Sequence, residues 1–345
     1  MSSVDVIVPC YRYGHFLREC VESVLTQSHK HVRVLILDDA SPDNTSEIGA
    51  ELAREDPRVG LVRHQFNKGH IATYNEGIDW VSADYMLLLS ADDYLLPGAL
   101  ERAATLLDAH PQVGFVFGRA VELDTDGTMS QTDSIIRSVG KSAQVLTGVQ
   151  FLELTGPRNI VPTPTAVVRT ELQKRLGGYC SDLPHSGDME MWLRLAAHAS
   201  VGILDAPQAV YRRHTDNMSH AYYRQNRLPD LQQRKAALDC FMESCEHMLS
   251  NSNHIRSRML HSLSREAVGC ASGAFNDGEV ELSDQLAEFA VRVFPEVKRS
   301  LPWIKLACKR QLGLKGWRAV QPAVGALGHF ASSRKRRTIW TRGRG

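Results

Sequence analysis

The sequence predicts an α/β protein whose first region is built on a mostly parallel sheet with helices on both faces. Over the first 120 residues, short apolar runs typical of buried strands alternate with apolar stripes at helical spacing. Polar or acidic residues follow most of the apolar runs directly. Strands that alternate with helices at this spacing form parallel βαβ units, which places helices on both faces of the sheet.

Five strands with helices between them are expected in this region. The strands are 4–8, 32–37, 59–64, 85–89 and 113–117, and the helices are 16–25, one ending at 54, one ending at 81, and 97–110. Pro9 is expected to stop the first strand. Residues 120–150 are polar and are interpreted as a loop that contains a hairpin.

Fewer strands are expected in the rest of the chain. Further strands are predicted at 166–168 and 201–204, around a helix at 188–199. A helical hairpin is predicted from 265–275 and 282–294, which Asn276-Asp277-Gly278 separates. We therefore divide the chain into a sheet-containing region 1–221, a helical region 222–297 and a C-terminal segment 298–345.

The composition is that of a folded protein. The chain has 345 residues, of which 43% are hydrophobic and 23% are charged, and this excludes global disorder. No uncharged apolar run of about 18 residues occurs, so a spanning helix is not expected. The chain starts without a signal-like segment and its seven cysteines form no CxxC pair, so we expect reduced thiols and a cytoplasmic location.

The net charge of +1 hides a strong asymmetry. Of the 40 Lys and Arg residues, thirteen fall within 298–345, where Asp and Glu are absent, so the remainder carries 27 basic against 39 acidic residues. Basic residues mixed with Trp and Leu suit a segment that lies on an anionic membrane surface, and the alternative is a solvated terminus. A nucleic-acid partner is not expected, because no accompanying fold signal is present.

Polar and aromatic groups follow four of the predicted strands. They are Pro9-Cys10-Tyr11, Asp38-Asp39, Asn67-Lys68-Gly69 and Asp92-Asp93. Ligands of open α/β sheets bind outside the carboxyl ends of the strands, so this edge is predicted to be a binding site. A dinucleotide fingerprint and a Walker P-loop are both absent, which disfavours a dehydrogenase or a P-loop phosphotransferase.

The chemistry of these groups suits a nucleotide. Tyr11 can stack on a base, and an acid that follows the second strand can accept a hydrogen bond from a base or a ribose. Adjacent residues point to opposite sides of a strand, so we expect one acid of each pair to face the ligand and the other to cap a turn. A divalent cation with oxygen ligands would offset the charges of a diphosphate.

Six segments in order resemble the family 2 glycosyltransferases, which have the GT-A fold. They are 6–11, 37–45, 67–69 with 75–77, 90–93, 187–195, and 211–214 with Ser219. The resemblance covers residues 4 to about 220. The region 1–221 is accordingly expected to be a GT-A domain that binds a nucleotide-sugar and catalyses transfer.

The resemblance implies a role for each matching residue. Pro9, Tyr11, Asp39 and Asn67 would hold the nucleoside of the donor. Asp92 and Asp93 fall where the family places its metal-binding acids, although Ser90 stands in place of the leading acid of the D-x-D pattern. The same resemblance makes His214 a further metal ligand or a diphosphate contact, and it makes Asp188 the general base.

The predicted function is an inverting glycosyl transfer from a nucleotide-sugar, expected to be a UDP-sugar, to a hydroxyl of a glycan or small acceptor. Mg²⁺ or Mn²⁺ is the expected cofactor. The alternative is a catalytically weak nucleotide-sugar binding or regulatory protein, which Ser90 motivates. A nucleotidyltransferase fits less well, because Tyr11-Arg12-Tyr13-Gly14 is not a glycine-rich loop.

Overall fold

The computed structural model of the protein describes residues 2–131, 143–215, 217 and 227–319. Ten strands of these residues form one sheet: β1 (Val4–Cys10), β2 (Val32–Asp38), β3 (Val59–Arg63), β4 (Tyr85–Leu88), β5 (Tyr94–Leu95), β6 (Val113–Leu123), β7 (Met129–Gln131), β8 (Ala143–Leu146), β9 (Val167–Arg169) and β10 (Ser200–Arg212). Their order is β3-β2-β1-β4-β9-β6-β10-β5, with β7 beside β6 and β8 beside β10.

The longest ladders of the sheet are parallel. β1 pairs in parallel with β2 and β4, β2 with β3, and β6 with β10. The short strands β5, β7, β8 and β9 join the sheet antiparallel. The predicted α/β class with a mostly parallel sheet is therefore confirmed, and the antiparallel strands are an addition to it.

Of the α-helices that the structure describes, seven lie between strands and four follow the last strand, β10. They are α1 (Gly14–Leu25), α2 (Thr45–Glu55), α3 (His70–Trp80), α4 (Ala99–Ala109), α5 (Gly148–Thr155), α6 (Thr170–Leu176), α7 (Gly187–His198), α8 (Leu228–Cys245), α9 (Ser252–Asp277), α10 (Val280–Val293) and α11 (301–319).

Helices cover both faces of the central strand β1. Its successive side chains point to opposite faces, as in any strand. Val6 and Val8 are buried in the core cluster that includes Leu17 of α1. Ile7 lies on the other face against Gly77 of α3, where an added Cβ would come within 2.3 Å of Ile7 Cγ2. Glycine is required at position 77 because the helix backbone approaches the strand so closely.

The expectation that Pro9 stops the first strand is wrong, because β1 continues to Cys10. Leu89 N–H donates to Ile7 O at 2.9 Å and Ala91 N–H to Pro9 O at 3.3 Å, so these carbonyls face the side of β4. The N–H that Pro9 lacks would point to the same side. Since β4 ends at Leu88, the proline removes no ladder hydrogen bond there.

The segment 120–150 contains more structure than a loop. β6 runs on to Leu123 and forms the expected hairpin with β7, and β8 follows as a strand paired with β10. Helix α5 was not expected, yet it starts at a capping box in which Thr147 Oγ1 accepts from Gln150 N–H. The pair Thr147 and Gln150 is the sequence signature of such a start.

The chain divides into two compact units. The first comprises residues 1–225 and 232–258 and contains the sheet, and the second comprises 226–231 and 259–345. In the second unit, α9 and α10 form the predicted helical hairpin, and Gly278 between them has a φ of +92°. The boundaries at 221/222 and 297/298 stay predictions. Among the described residues, no helix has the length and apolarity needed to cross a membrane.

Candidate active site

Two strained turns lie at the ends of β1 and β2. Arg12 and Ala40 have positive φ angles of +66° and +58°, which non-glycine residues adopt rarely. Asp38 Oδ1 caps the second turn by accepting from Ser41 N–H at 2.8 Å, and Arg12 N–H donates to Ser41 Oγ. Strain of this kind costs about 1–3 kcal/mol per residue and clusters at functional sites. Asp38 thus caps a turn, as expected of one acid of the pair, and the ligand contact of Asp39 stays a prediction.

Asp39 is anchored on the loop that follows β3. His64 Nδ1 and Lys68 N–H both donate to Asp39 Oδ1 at 2.7 Å, and Gly69 N–H donates to Oδ2 at 2.9 Å. Burial acts to raise the pKa of this carboxyl, but the hydrogen bonds from His64, Lys68 and Gly69 outweigh it and the pKa is lowered. Asp39 is therefore a fixed anion at neutral pH.

The other residues expected at the nucleoside lie along the same edge. Tyr11 follows β1 and is 43% exposed, so its ring is open to a ligand. Pro9 is part of β1, and its carbonyl accepts from Ala91 N–H. Asn67 Oδ1 accepts from Gly69 N–H at 3.0 Å, so its side chain shapes the loop that Asp39 holds.

Asp92 and His214 lie side by side. Asp92 Oδ2 is 3.1 Å from His214 Nε2, although the two residues are 122 positions apart. Asn217 Nδ2 is 3.3 Å from both of these atoms, and Asn217 Oδ1 accepts from His214 N–H at 2.5 Å. Asn217 was not predicted from the sequence, where its place three residues after His214 was the one signal available. Ser219 lies outside the described residues.

Asp93 is directed into the fold. It is 3% exposed, and its Oδ1 accepts from Arg212 N–H at 3.0 Å. Burial raises the pKa of Asp93 well above its usual range, and the neighbouring charge of Asp92 adds to that effect. Asp93 thus ties the strand end to β10, and Asp92 is the acid of the pair that meets His214.

Asp188 lies at the start of α7, and three donors hold its carboxylate. Asn159 Nδ2 and Thr163 Oγ1 donate to Oδ2 at 2.7 and 3.2 Å, and Met189 N–H donates to Oδ1 at 2.8 Å. Burial raises the pKa of Asp188, and these hydrogen bonds together with the charge of His185 offset it only in part. The sequence reasoning missed Asn159, because nothing in its surroundings distinguishes it from a loop residue.

Tyr74 links the two acidic groups. Burial is the main cause that raises the pKa of its hydroxyl, and the negative charges of Asp92 and Asp188 raise it further, while a hydrogen bond with Ser90 lowers it. An acid from the end of β4 and an acid from α7 therefore act on the same hydroxyl. Tyr74 also packs edge-on against Tyr179, with the ring centroids 5.5 Å apart. The sequence analysis did not single out either tyrosine.

The donor atoms of Asp92 and His214 fit a divalent cation. Among the described residues, no group of three or more His, Cys, Asp and Glu side chains is arranged to hold a metal ion. A carboxylate oxygen and an imidazole nitrogen that already lie 3.1 Å apart nevertheless suit an ion that takes its other ligands from phosphate and water. Magnesium is commonly bound by one or two carboxylates together with phosphate oxygens and water.

Glu190 and Arg194, two and six residues after Asp188 in α7, form a buried ion pair. Arg194 Nε donates to Glu190 Oε1 at 2.9 Å, and Glu190 is 1% exposed. Arg194 also donates to the carbonyls of Leu176 and Gly178. Trp192 stacks on Phe115. These contacts fix α7 and the preceding loop, so this segment positions Asp188 rather than adding a second acid to the site.

Comparison with known proteins agrees with this arrangement. The family model described as glycosyl transferase family 2 matches residues 5–174, which include Asp39 and Asp92. Residues 5–174 of the chain belong to this family.

Three curated proteins are similar to this chain over parts of their length. The uncharacterized protein MT1568 of Mycobacterium tuberculosis is 28% identical over 218 residues, which are 61% of this chain and 67% of the relative. The uncharacterized glycosyltransferase YibD of Escherichia coli is 31% identical over 45% of this chain and 42% of its own. Glycosyltransferase GlyG of Streptococcus pneumoniae is 35% identical over 28% of this chain and 33% of its own. The matches thus span less than half of the last two relatives.

Solved structures share the fold of this glycosyl transferase. S. aureus TarS 1–349 in complex with UDP-GlcNAc has a TM-score of 0.66 at 18% identity, over 94% of this chain and 92% of that one. The mannosyltransferase PcManGT of Pyrobaculum calidifontis, in complex with GDP-Man and Mn²⁺, has a TM-score of 0.50 at 17% identity. The match covers 92% of this chain and 86% of that one. The expectation of a GT-A-type fold with a helical C-terminal region is confirmed.

Proposed function

We propose that this protein is an inverting glycosyltransferase that moves a sugar from a UDP-sugar to a hydroxyl group. One observation carries the proposal: Asp92 contacts His214 beyond the end of β4, and Asp188, 96 positions later in the chain, is held at the start of α7 by Asn159. An inverting transfer needs one carboxylate near the departing diphosphate and another near the incoming hydroxyl. Asp92 and Asp188 come from separate segments of the chain, and we assign the first to the diphosphate side and the second to the hydroxyl side.

The nucleoside of the donor is assigned to the edge formed by Pro9, Tyr11, Asp39 and Asn67. Tyr11 offers an exposed ring for stacking on a base. Asp39 offers an anion that is already fixed by three donors, so it can accept from a base or a ribose without reorganising. The TarS complexes with UDP and UDP-GlcNAc support a UDP-sugar, whereas PcManGT holds GDP-Man.

Asp92 and His214 are assigned to a divalent cation, Mg²⁺ or Mn²⁺, with Asp93 as their structural neighbour. When bound, such a cation neutralises the charge that develops on the departing diphosphate. The Mn²⁺ in the PcManGT complex supports this assignment. Asn217 keeps the His214 backbone and the Asp92 carboxylate together, since it contacts both.

Asp188 is assigned the role of general base. Its carboxylate removes the proton of the acceptor hydroxyl as that oxygen attacks the anomeric carbon, and such a base contributes about 10²–10⁴ in rate. The raised pKa suits this task, because a base is most effective when its pKa lies closer to the working pH. Asn159 and Thr163 hold the carboxylate in place while it works.

A donor screen followed by a turnover assay tests the proposal. Binding of a nucleotide-sugar raises the melting temperature by mass action, so thermal shifts with UDP- and GDP-sugars, with and without Mn²⁺, identify the donor. Release of the nucleoside diphosphate is then measured for the wild type and for Asp188→Asn. We expect a shift with a UDP-sugar that Mn²⁺ increases, and turnover that Asp188→Asn abolishes; shifts with no nucleotide-sugar would refute the proposal.

One observation favours a second candidate, a catalytically weak nucleotide-sugar binding or regulatory protein. Ser90 stands where the fullest family pattern has an acid, and its side chain is hydrogen-bonded to Tyr74. The same assay separates the two candidates. Donor binding without nucleoside diphosphate release, in the presence of Mn²⁺ and a panel of glycan and small hydroxyl acceptors, would favour the binding protein.

The acceptor and the location stay predictions. A glycan or a small hydroxyl compound, a cytoplasmic location and a role in polysaccharide biosynthesis are all compatible with the site described. They are to be tested once the donor is known.

A further inference from the structure

The last described helix, α11, packs on its own unit through one face only. Lys309 on this face is buried, and its Nζ donates to Ser272 Oγ at 2.6 Å and to Asn276 Oδ1 at 2.9 Å. Trp317 Nε1 donates to the same Asn276 Oδ1 at 2.8 Å, and its ring lies under the Lys309 ammonium. Leu306 is buried beside them. These contacts fix which side of the helix is turned outward.

The outward side carries large apolar side chains. Leu301 is 74% exposed, Ile304 is 47% exposed and Leu312 is 53% exposed. Lys305 and Cys308 are exposed as well. The spacing 301, 304, 305, 308 and 312 places all five on one helical face, since residues three and four apart are neighbours on a helix. We call these five residues the outer face of α11.

The charged residues of the segment that carries the outer face are all basic. Residues 298–319 contain seven Lys and Arg and lack Asp and Glu. Arg310 is paired with Asp284 at 2.8 Å and Lys309 is buried, as described above. The remaining five are exposed and make no ion pair with another residue that the structure describes; they are Lys298, Arg299, Lys305, Lys315 and Arg318. Arg334-Lys335-Arg336-Arg337 follows in the sequence, outside the described residues.

We propose that the outer face of α11 binds the surface of an anionic lipid bilayer. Leucine and isoleucine would enter the boundary between headgroups and acyl chains, while the flanking lysines and arginines contact anionic headgroups. A second copy of the chain is a poorer occupant, because two such faces would bring like charges together. A nucleic acid would pair with the basic groups but would leave Leu301, Ile304 and Leu312 exposed to its phosphates.

The proposal is tested by co-sedimentation of the full chain with vesicles. Vesicles of phosphatidylcholine and phosphatidylglycerol in equal parts are compared with vesicles of phosphatidylcholine alone. We expect binding to the anionic vesicles and its weakening as salt is raised, since exposed charges are screened. A lysine near an anionic surface contributes about fivefold in binding, so Lys305→Glu/Lys315→Glu should reduce the partition coefficient by more than about tenfold.

Matched controls separate this surface from general charge and general hydrophobicity. Arg265→Glu/Arg292→Glu makes the same change in net charge at exposed positions of the same unit and should bind as the wild type does. Leu301→Ser/Leu312→Ser should lose binding, whereas Val280→Ser/Met248→Ser, at comparably exposed positions, should keep it. Circular dichroism and the melting temperature confirm that each variant is folded.

Four results would overturn the proposal. The first is wild-type binding by Lys305→Glu/Lys315→Glu, and the second is equal binding to neutral and anionic vesicles. The third is a wild-type protein that binds a DNA or RNA duplex in a gel shift but does not bind vesicles, when Lys305→Glu/Lys315→Glu abolishes the duplex binding. A concentration-dependent dimer that Leu301→Ser/Leu312→Ser dissociates, again without vesicle binding, would assign the face to a second copy instead.

Discussion

Asp39 and Asp188 carry the same functional group in opposite surroundings. Asp39 accepts hydrogen bonds from His64 and from two backbone N–H groups, and its pKa is lowered despite burial. Asp188 accepts from Asn159, Thr163 and one backbone N–H, and here burial wins and the pKa is raised. The difference lies in the balance of two effects: hydrogen bonds outweigh burial at Asp39, whereas burial outweighs hydrogen bonds at Asp188.

The comparison separates two tasks that a carboxylate can perform. A pKa held low gives a charge that does not change, which suits a contact that orders a loop or orients a nucleoside. A pKa raised toward neutrality gives a group that can take up a proton, which suits a base. Pairs of titratable groups whose surroundings push their pKa values apart indicate such a division of roles.

The largest effect is expected from Asp188→Asn. The amide cannot accept a proton, so transfer should fall by about 10²–10⁴ while the donor dissociation constant stays within about threefold. Turnover and donor binding are measured on the same preparation by nucleoside diphosphate release and calorimetry. The control is Asp182→Asn, an exposed aspartate in the preceding loop, which should leave both quantities unchanged. Full activity of Asp188→Asn would remove the division of roles.

Asp92→Asn should come next. It removes an anionic ligand from the proposed cation site while the amide keeps the shape, so turnover in Mn²⁺ should fall by about 10²-fold. In this variant, Mn²⁺ should also no longer increase the rise in melting temperature that the nucleotide-sugar causes. His214→Gln should act in the same direction with a smaller loss. An Mn²⁺ response that survives both substitutions would place the cation elsewhere.

Asp39→Asn should weaken the fold and donor binding rather than the chemical step. The amide of asparagine would place its N–H₂ group against a hydrogen-bond donor of His64, Lys68 or Gly69, so that one hydrogen bond is lost. This loss should lower the free energy of unfolding by about 1–3 kcal/mol. The affinity for the nucleotide-sugar should also fall, while turnover at a saturating concentration of nucleotide-sugar stays near the wild-type value. Asp79→Asn, at an exposed position of α3, is the control.

The same variant has a signature in the pH dependence of stability. The pKa of Asp39 is lower folded than unfolded, so its stabilisation is present above about pH 4, the unfolded value, and is lost as the pH falls through the folded pKa. Asp39→Asn should therefore show a smaller loss of stability on acidification than the wild type. Parallel denaturation curves for the two proteins at each pH would contradict the lowered pKa.

The smallest effect is expected from Thr163→Val. This change removes one donor to Asp188, so the pKa of Asp188 should rise and the acidic limb of the turnover profile should move to higher pH. The plateau at high pH should change by less than about tenfold, since one neutral hydrogen bond is lost. Thr163→Ser keeps the hydroxyl and should restore the wild-type profile. A lower plateau without a shift of the limb would indicate a purely structural role.

The sheet edge of the site was predictable from the sequence, whereas the surroundings of Asp188 were not. Asp38, Asp39 and Asp92 follow apolar runs, and the parallel arrangement brings the ends of those runs to one edge. The sequence did not predict the positions of Tyr74, Asn159 and Asn217. These residues lie in a helix or in loops, and their spacing along the chain does not indicate that they lie near Asp92 or Asp188. Pro9 was misjudged because its effect depends on where the neighbouring strand β4 ends, which the local sequence does not show.

The central claim is that one base, Asp188, acts opposite the diphosphate in a single displacement. The anomeric configuration of the first product, observed by NMR before mutarotation or further reaction, tests it most directly. The account predicts that the transferred sugar carries the configuration opposite to that in the nucleotide-sugar. Transfer with the donor's configuration retained would contradict a single displacement and with it the role of Asp188.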